Sequence, residues 1–145
     1  MAFGPVIIGV LALGIGLATA ASSQTVDDRF AQVRARSQGM AIFREHCVSC
    51  HGLTGHGDGP RLEELSVAPS DLTRLAERNG GIFPAATVTR VIDGADRVHQ
   101  NGEMPLWGTV FRAEPVGADE QTVKDRLNAL TLYLEFFQVR PRRQR

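Results

Sequence analysis

Several features that are typical of particular protein classes are scarce or absent in this sequence. Only two of its 145 residues are cysteines, which excludes a disulfide-rich scaffold. The 16 basic and 16 acidic residues cancel, so the positive field of a nucleic-acid-binding protein is absent. The sequence has no internal repeat, no alternating pattern that predicts a sheet, and no Ser-His-Asp order or phosphate loop that predicts an enzyme. One globular domain is what the length and the 43% apolar residues predict.

One long apolar stretch lies near the N-terminus. Residues 3–21 carry no charge, and the small residues Ala18, Ala20 and Ala21 suit a signal peptidase. No Lys or Arg precedes the stretch, and its 19 residues are nearly enough to span a bilayer, so a retained membrane anchor is the alternative. Either interpretation places the rest of the chain outside the cytoplasm.

Helical periodicity is clearest in two segments. Met40, Phe43 and Cys47 have helical spacing, so a helix is predicted to lead into the cysteines. Near the C-terminus, an apolar stripe with steps of four and three residues follows Asp119, a candidate N-cap. The stripe consists of Val123, Leu127, Leu130, Leu134 and Phe137. Because no strand is predicted, the fold class is all-α.

Shorter helices and long loops are predicted between these two segments. One helix covers 71–78, with Ser70 as its cap, and another covers 85–92. Residues 52–59 are rich in glycine and residues 93–107 have no periodicity, so both are predicted loops. Loops of this length need a surface to pack against.

The strongest chemical motif is Cys-Val-Ser-Cys-His, which ends at His51. This is the pattern of covalent haem attachment. Two thiols three residues apart can each add to one vinyl group of haem, and the next residue then directs an imidazole at the iron. Cys47 and Cys50 are therefore the predicted thioether residues, and His51 is a predicted axial ligand.

Two other sites share the Cys-x-x-Cys spacing. A thioredoxin-like redox site normally lies in a βαβ context, which this sequence lacks. A zinc site would need a further ligand, and only His56 or His99 could supply it. His46, next to the motif, is expected to cap the end of the helix or to meet solvent.

The sixth position of the iron has one clear candidate among three methionines. Met1 precedes the apolar stretch, and Met40 is expected in the core on the first helix. Met104 lies in the predicted loop directly before Pro105, and its thioether is a soft donor that favours ferrous iron. The alternatives are Met104 as a core residue and His99 as the ligand.

The order and spacing of these pieces resemble those of the class I c-type cytochromes, in particular small bacterial monohaem members. The similarity covers about residues 37–138. Besides the cysteine motif, its pieces are Gly39 to Phe43, Gly59 to Leu62, Met104 to Gly108, and Leu130 to Leu134. It implies a cytochrome c fold, with four or five helices and long loops wrapped around one covalently bound haem c.

The resemblance also implies roles for single residues. The carbonyl group of Pro60 would hold the Nδ1 hydrogen of His51, unless Pro60 only stiffens the loop. Trp107 would pack against the haem, and Arg90 or Arg97 would meet its propionates or else face solvent. Other family positions, Gly39 and Phe43, would lie where the first and last helices cross.

The predicted organisation has four parts. They are a signal peptide or membrane anchor at 1–21, a linker or helical lead-in at 22–36, the cytochrome domain at 37–138, and a basic tail at 139–145. The tail is either a solvated end or a docking element for an acidic partner or anionic lipid.

The predicted function is one-electron transfer, because two filled axial positions leave no open site for a substrate. The resemblance implies a periplasmic domain, soluble or anchored to the outer face of the inner membrane, that exchanges electrons with redox protein partners. It would act as a free carrier or as the cytochrome subunit of a larger oxidoreductase or respiratory complex. If Met104 does not ligate, a five-coordinate haem that binds gas or peroxide is the alternative.

Folding is expected to depend on haem attachment, because the haem would supply the packing surface that the loops lack. The double variant Cys47→Ala, Cys50→Ala should therefore give little folded protein when its helical content is measured by circular dichroism. A stable, haem-free helical fold would contradict covalent haem attachment as the basis of the structure.

Overall fold

The computed structural model describes residues 17–96, 103–114 and 118–139. These residues form helices and connecting turns, with no strand among them. The α-helices are α1 (Leu17–His46), α2 (Val48–His51), α3 (Leu75–Arg78), α4 (Ala85–Asp93), α5 (Trp107–Ala113) and α6 (Glu120–Phe136), and the 3₁₀ turns are Leu62–Glu64 and Leu72–Arg74. The predicted all-α fold class is confirmed.

The described residues belong to two units that divide between Gln32 and Val33. In the first unit, the chain is helical from Leu17, and every side chain from Thr25 to Gln32 is exposed. The second unit contains all the buried side chains among the described residues. Residues 22–36, predicted as a linker or helical lead-in, are helical throughout.

The segments predicted at the two ends of the chain fall largely outside this description. Residues 1–16, which form most of the predicted signal or anchor, and residues 140–145 of the basic tail lie outside the described residues. Within the described part of the chain, no helix combines the length and apolar character needed to cross a bilayer.

Helix α6 supplies much of the core of the second unit. Asp119 caps it as predicted, because its carboxylate accepts a hydrogen bond of 2.7 Å from the backbone N–H of Thr122. Four members of the predicted stripe are buried, namely Val123, Leu127, Leu130 and Leu134. Helices α4 and α5 pack against α6, and a hydrogen bond of 3.0 Å joins Thr89 on α4 to Thr131 on α6.

The end of α1 crosses α6 at Gly39. A Cβ atom at this position would lie 2.8 Å from the Cβ of Tyr133 and closer still to the carbonyl oxygen of Ala129, so the crossing requires glycine. Phe43, one turn later, is 1% exposed, and its ring centroid lies 5.5 Å from that of Tyr133 and 5.6 Å from that of Phe137. The crossing predicted for Gly39 and Phe43 is confirmed.

The helix predicted over 71–78 has a different start. It consists of the 3₁₀ turn Leu72–Arg74 followed by α3, and its cap is Asp71 instead of Ser70. The Asp71 carboxylate accepts a hydrogen bond of 2.8 Å from the backbone N–H of Thr73. Serine and aspartate are equally good N-caps, so composition alone does not choose between neighbours.

Two further predictions about this part of the fold are wrong. Helix α5 begins at Trp107, the last residue of the predicted loop, and buries Phe111 completely, although the sequence predicts no helix there. Met40 is 37% exposed instead of lying in the core, because the same helix turns Phe43 inward at the α6 crossing.

The close crossing predicts the effect of one added methyl group. Gly39→Ala should lower the free energy of unfolding by about 1–3 kcal/mol, because the helices must separate to admit the Cβ. Chemical denaturation of the full-length haem protein measures this change. Gln38→Ala, at the adjacent exposed position, is the control and should change the stability by less than about 0.5 kcal/mol. Equal stability of the two variants would contradict a close crossing.

Candidate functional site

The cysteine motif forms one helical turn that continues from α1. The backbone N–H of Cys47 donates to the carbonyl of Phe43 at 2.9 Å, and that of His51 donates to the carbonyl of Cys47 at 2.8 Å. Cys47, Cys50 and His51 therefore have the helical spacing i, i+3 and i+4, which places them on one face of the turn. All three line the same cavity.

The glycine-rich loop folds back over this turn. The backbone N–H of Gly57 donates to the carbonyl of His51 at 2.9 Å, and that of Gly59 donates to the carbonyl of Cys50 at 3.2 Å. These carbonyls lie at the end of α2, where a helix has no internal partners for them. The loop thus satisfies the backbone of the motif and fixes its orientation.

The ring of His51 is held by a different residue from the one that the resemblance implies. Its Nδ1 atom lies 3.3 Å from the carbonyl oxygen of Ser70. A carbonyl only accepts hydrogen bonds, so Nδ1 is the donor in this contact. Pro60 is exposed, and the 3.3 Å contact to Nδ1 comes from Ser70.

The Ser70 carbonyl is positioned by the glycine-rich loop. The backbone N–H of Leu72 donates to the carbonyl of Gly55 at 2.7 Å. Gly57 has a φ of +84°, and a Cβ there would collide with the carbonyl oxygen of Pro69. The two segments approach this closely only because residue 57 has no side chain.

Asp71 adds polar contacts to this junction. Its carboxylate accepts hydrogen bonds from the backbone N–H and hydroxyl of Thr73, at 2.8 and 2.6 Å, and lies 3.5 Å from Nδ1 of His56. Burial raises the pKa of Asp71, but the Thr73 and His56 contacts outweigh burial and hold the pKa below its ordinary value. Asp71 is therefore ionised at neutral pH.

The cavity has a volume of about 280 Å³, and its lining is almost entirely apolar. Its walls come from α1, α2, α3, α4 and α6, from the first residue of α5, and from two segments around residues 65–72 and 103–105. Four residues predicted to hold haem or its iron line it together, namely Cys47, Cys50, His51 and Met104, and so does Trp107. Pro60 does not.

The wall beside the motif is aromatic. The ring of His46 lies 5.0 Å from that of Trp107, which in turn lies 6.0 Å from that of Phe111. The side chain of His46 is only 13% exposed, so the prediction that it caps the helix or meets solvent is wrong. Its helical spacing with Phe43, three residues earlier on α1, could have indicated this inward position.

The arginines proposed for the propionates are only partly described. Arg90 is exposed and forms an ion pair with Asp96 at 2.8 Å. Arg97 lies outside the described residues, as does His99, the alternative iron ligand and zinc ligand.

The surroundings of Cys47 and of His56 disfavour the two rival chemistries. Burial, together with the neighbouring Cys50, raises the pKa of Cys47 to about 12, so its thiol is neutral. A redox-active cysteine needs a thiolate, which a lowered pKa provides. His56 lies against Asp71, and within the described ranges no group of three or more His, Cys, Asp or Glu side chains could hold a metal ion.

The residues around the cavity fit a covalently attached haem. Two thiols and an imidazole share one face, Nδ1 of that imidazole contacts a backbone carbonyl, and a thioether lines the same cavity. The apolar lining suits a large, flat macrocycle. The class that this fold and this site define is the c-type cytochromes.

The comparison with protein families agrees. Residues 34–118 match the family of subunit III of the cbb3-type cytochrome c oxidases. The match covers more than half of the chain, which therefore belongs to this family of c-type cytochrome domains. The general function of this family is haem-based electron transfer, with haem c as the cofactor. Comparisons with curated proteins and with solved structures gave no match.

Proposed function

We propose that this chain is a monohaem cytochrome that transfers single electrons, with Cys47 and Cys50 as the thioether residues and His51 and Met104 as the axial ligands. The observation that carries the proposal is that all four side chains line one apolar cavity. When bound there, haem supplies reversible one-electron exchange between ferric and ferrous iron.

Each of these side chains has a distinct part in holding the cofactor. The two cysteines would tether it to the helical turn that continues from α1. His51 offers Nε2 because the Ser70 carbonyl occupies Nδ1, and this hydrogen bond also makes the imidazole a stronger donor. Met104 offers a soft sulfur, which favours the ferrous state and raises the reduction potential. The apolar lining acts in the same direction, because it keeps water away from the charge.

The family supports a place for this domain in a larger assembly. The family takes its description from an oxidase subunit. We therefore propose that the chain works as the cytochrome subunit of a membrane oxidoreductase and passes electrons to or from a redox partner. Domains of this class are typically extracytoplasmic, which supports a periplasmic location. Residues 3–21 would either direct export or hold the domain at the outer face of the inner membrane.

Spectroscopy tests the axial ligands. The ferric protein should show the weak long-wavelength absorption band that marks methionine ligation, and the band should vanish in Met104→Ala. Met40→Ala is the matched control, because Met40 lies on the exposed side of α1 and should leave the band unchanged. In the native ferrous protein, carbon monoxide should bind slowly because the sixth position is filled. Rapid binding would overturn the electron-transfer proposal in favour of a five-coordinate, gas-binding haem.

Purification from the native membrane tests the subunit proposal. After mild detergent extraction, the haem-stained band of this chain should migrate with a large complex in native electrophoresis. A washed, detergent-free membrane fraction is the control that separates attached protein from free periplasmic protein. If the chain is released by washing and migrates alone, it is a free carrier and the subunit proposal fails.

A further inference from the structure

We propose that Glu103 is a positioning residue for Met104, and that it acts through a hydrogen-bonded clip to Ser66. This inference rests on the proposed ligation by Met104 and adds to it a reason why the sulfur stays in place. The clip joins two segments of the cavity wall that carry no regular secondary structure.

The clip consists of two hydrogen bonds to one carboxylate oxygen. Oε1 of Glu103 accepts from the backbone N–H of Ser66 at 2.7 Å and from its hydroxyl at 2.8 Å. The two residues are 37 positions apart in the sequence, so the contact closes a long loop. Because both donors belong to one residue and meet one oxygen, the contact fixes the relative position of the two segments.

The clip lies directly beside the proposed ligand. Leu65 and Val67, on either side of Ser66, line the cavity, and so do Met104 and Pro105. Pro105 restricts the backbone of the residue before it to extended conformations, which limits Met104 from its C-terminal side. Glu103 limits it from the N-terminal side. The backbone of Met104 is therefore held at both flanks.

The segment on the Ser66 side is itself anchored. Four residues after Ser66, the carbonyl of Ser70 accepts the hydrogen bond from Nδ1 of His51, and the backbone N–H of Leu72 donates to Gly55. The clip thus connects the Met104 segment to the same stretch of chain that orients His51. Opening it would free the Met104 segment.

A competing ligand measures how firmly Met104 is held. Imidazole is titrated into the ferric haem protein, and loss of the methionine band reports displacement of the sulfur. Glu103→Ala should bind imidazole about fivefold more tightly than the native protein, the size expected for about 1 kcal/mol of lost hydrogen bonding. Ser66→Ala removes one of the two donors and should give a smaller increase.

Two controls separate the clip from charge and from folding. Glu103→Gln removes the negative charge but keeps an acceptor oxygen, so its imidazole affinity should lie closer to that of the native protein. Glu64→Ala removes an exposed carboxylate that pairs with Arg61 and should have no effect. The thermal unfolding of all variants is followed by circular dichroism. Their unfolding temperatures should stay close to that of the native protein, although their imidazole affinities differ.

The outcomes are distinguishable. If the native protein shows the methionine band but Glu103→Ala binds imidazole with native affinity, the clip proposal is overturned and the ligation proposal stands. If the native protein lacks the band, ligation by Met104 fails and the clip proposal with it. If Glu103→Ala does not fold, Ser66→Ala decides, and native imidazole affinity in that variant rejects the clip.

Discussion

The rest of the site depends on one geometric constraint, which is that a single helical turn must present two thiols and an imidazole on the same side. Cys47, Cys50 and His51 meet it because they are spaced by three and four residues on a turn that continues from α1. Such a short turn leaves its terminal carbonyls without partners inside the helix. The N–H groups of Gly57 and Gly59 donate to these carbonyls, so their loop is part of the same site. The segments that this loop contacts belong to the site as well.

The apolar side chains of the second unit divide between a packed core and an open wall. The core is built around α6, and its close contact with α1 at Gly39 fixes where the cysteine turn begins. The wall includes core residues such as Phe43 and Leu130, and segments near residues 65–72 and 103–107 complete it. A covalently held cofactor explains both halves, because the core places the attachment points and the cofactor gives the wall its packing surface.

The elements that the sequence predicts correctly are those with a regular side-chain pattern. The stripe from Val123 on α6 and the helix that leads into the cysteines both follow from spacing alone, and the resemblance adds the α1 crossing. Helix α5 escapes prediction because it is only seven residues long and contains Gly108, which weakens the helical signal. The exposure of Met40 escapes because spacing defines a helical face without saying how wide the buried stripe is.

The sequence predicts the site less well where backbone atoms make the contacts. The contact to His51 comes from the carbonyl of Ser70, and a carbonyl has no residue type, so the resemblance assigns the role to Pro60. Substitution at position 70 changes only a side chain and keeps that oxygen. Position 57 has no such freedom, since any side chain there would push the Pro69 carbonyl away. Among related proteins, selection would therefore act on the glycine that makes room and not on the residue that makes the bond.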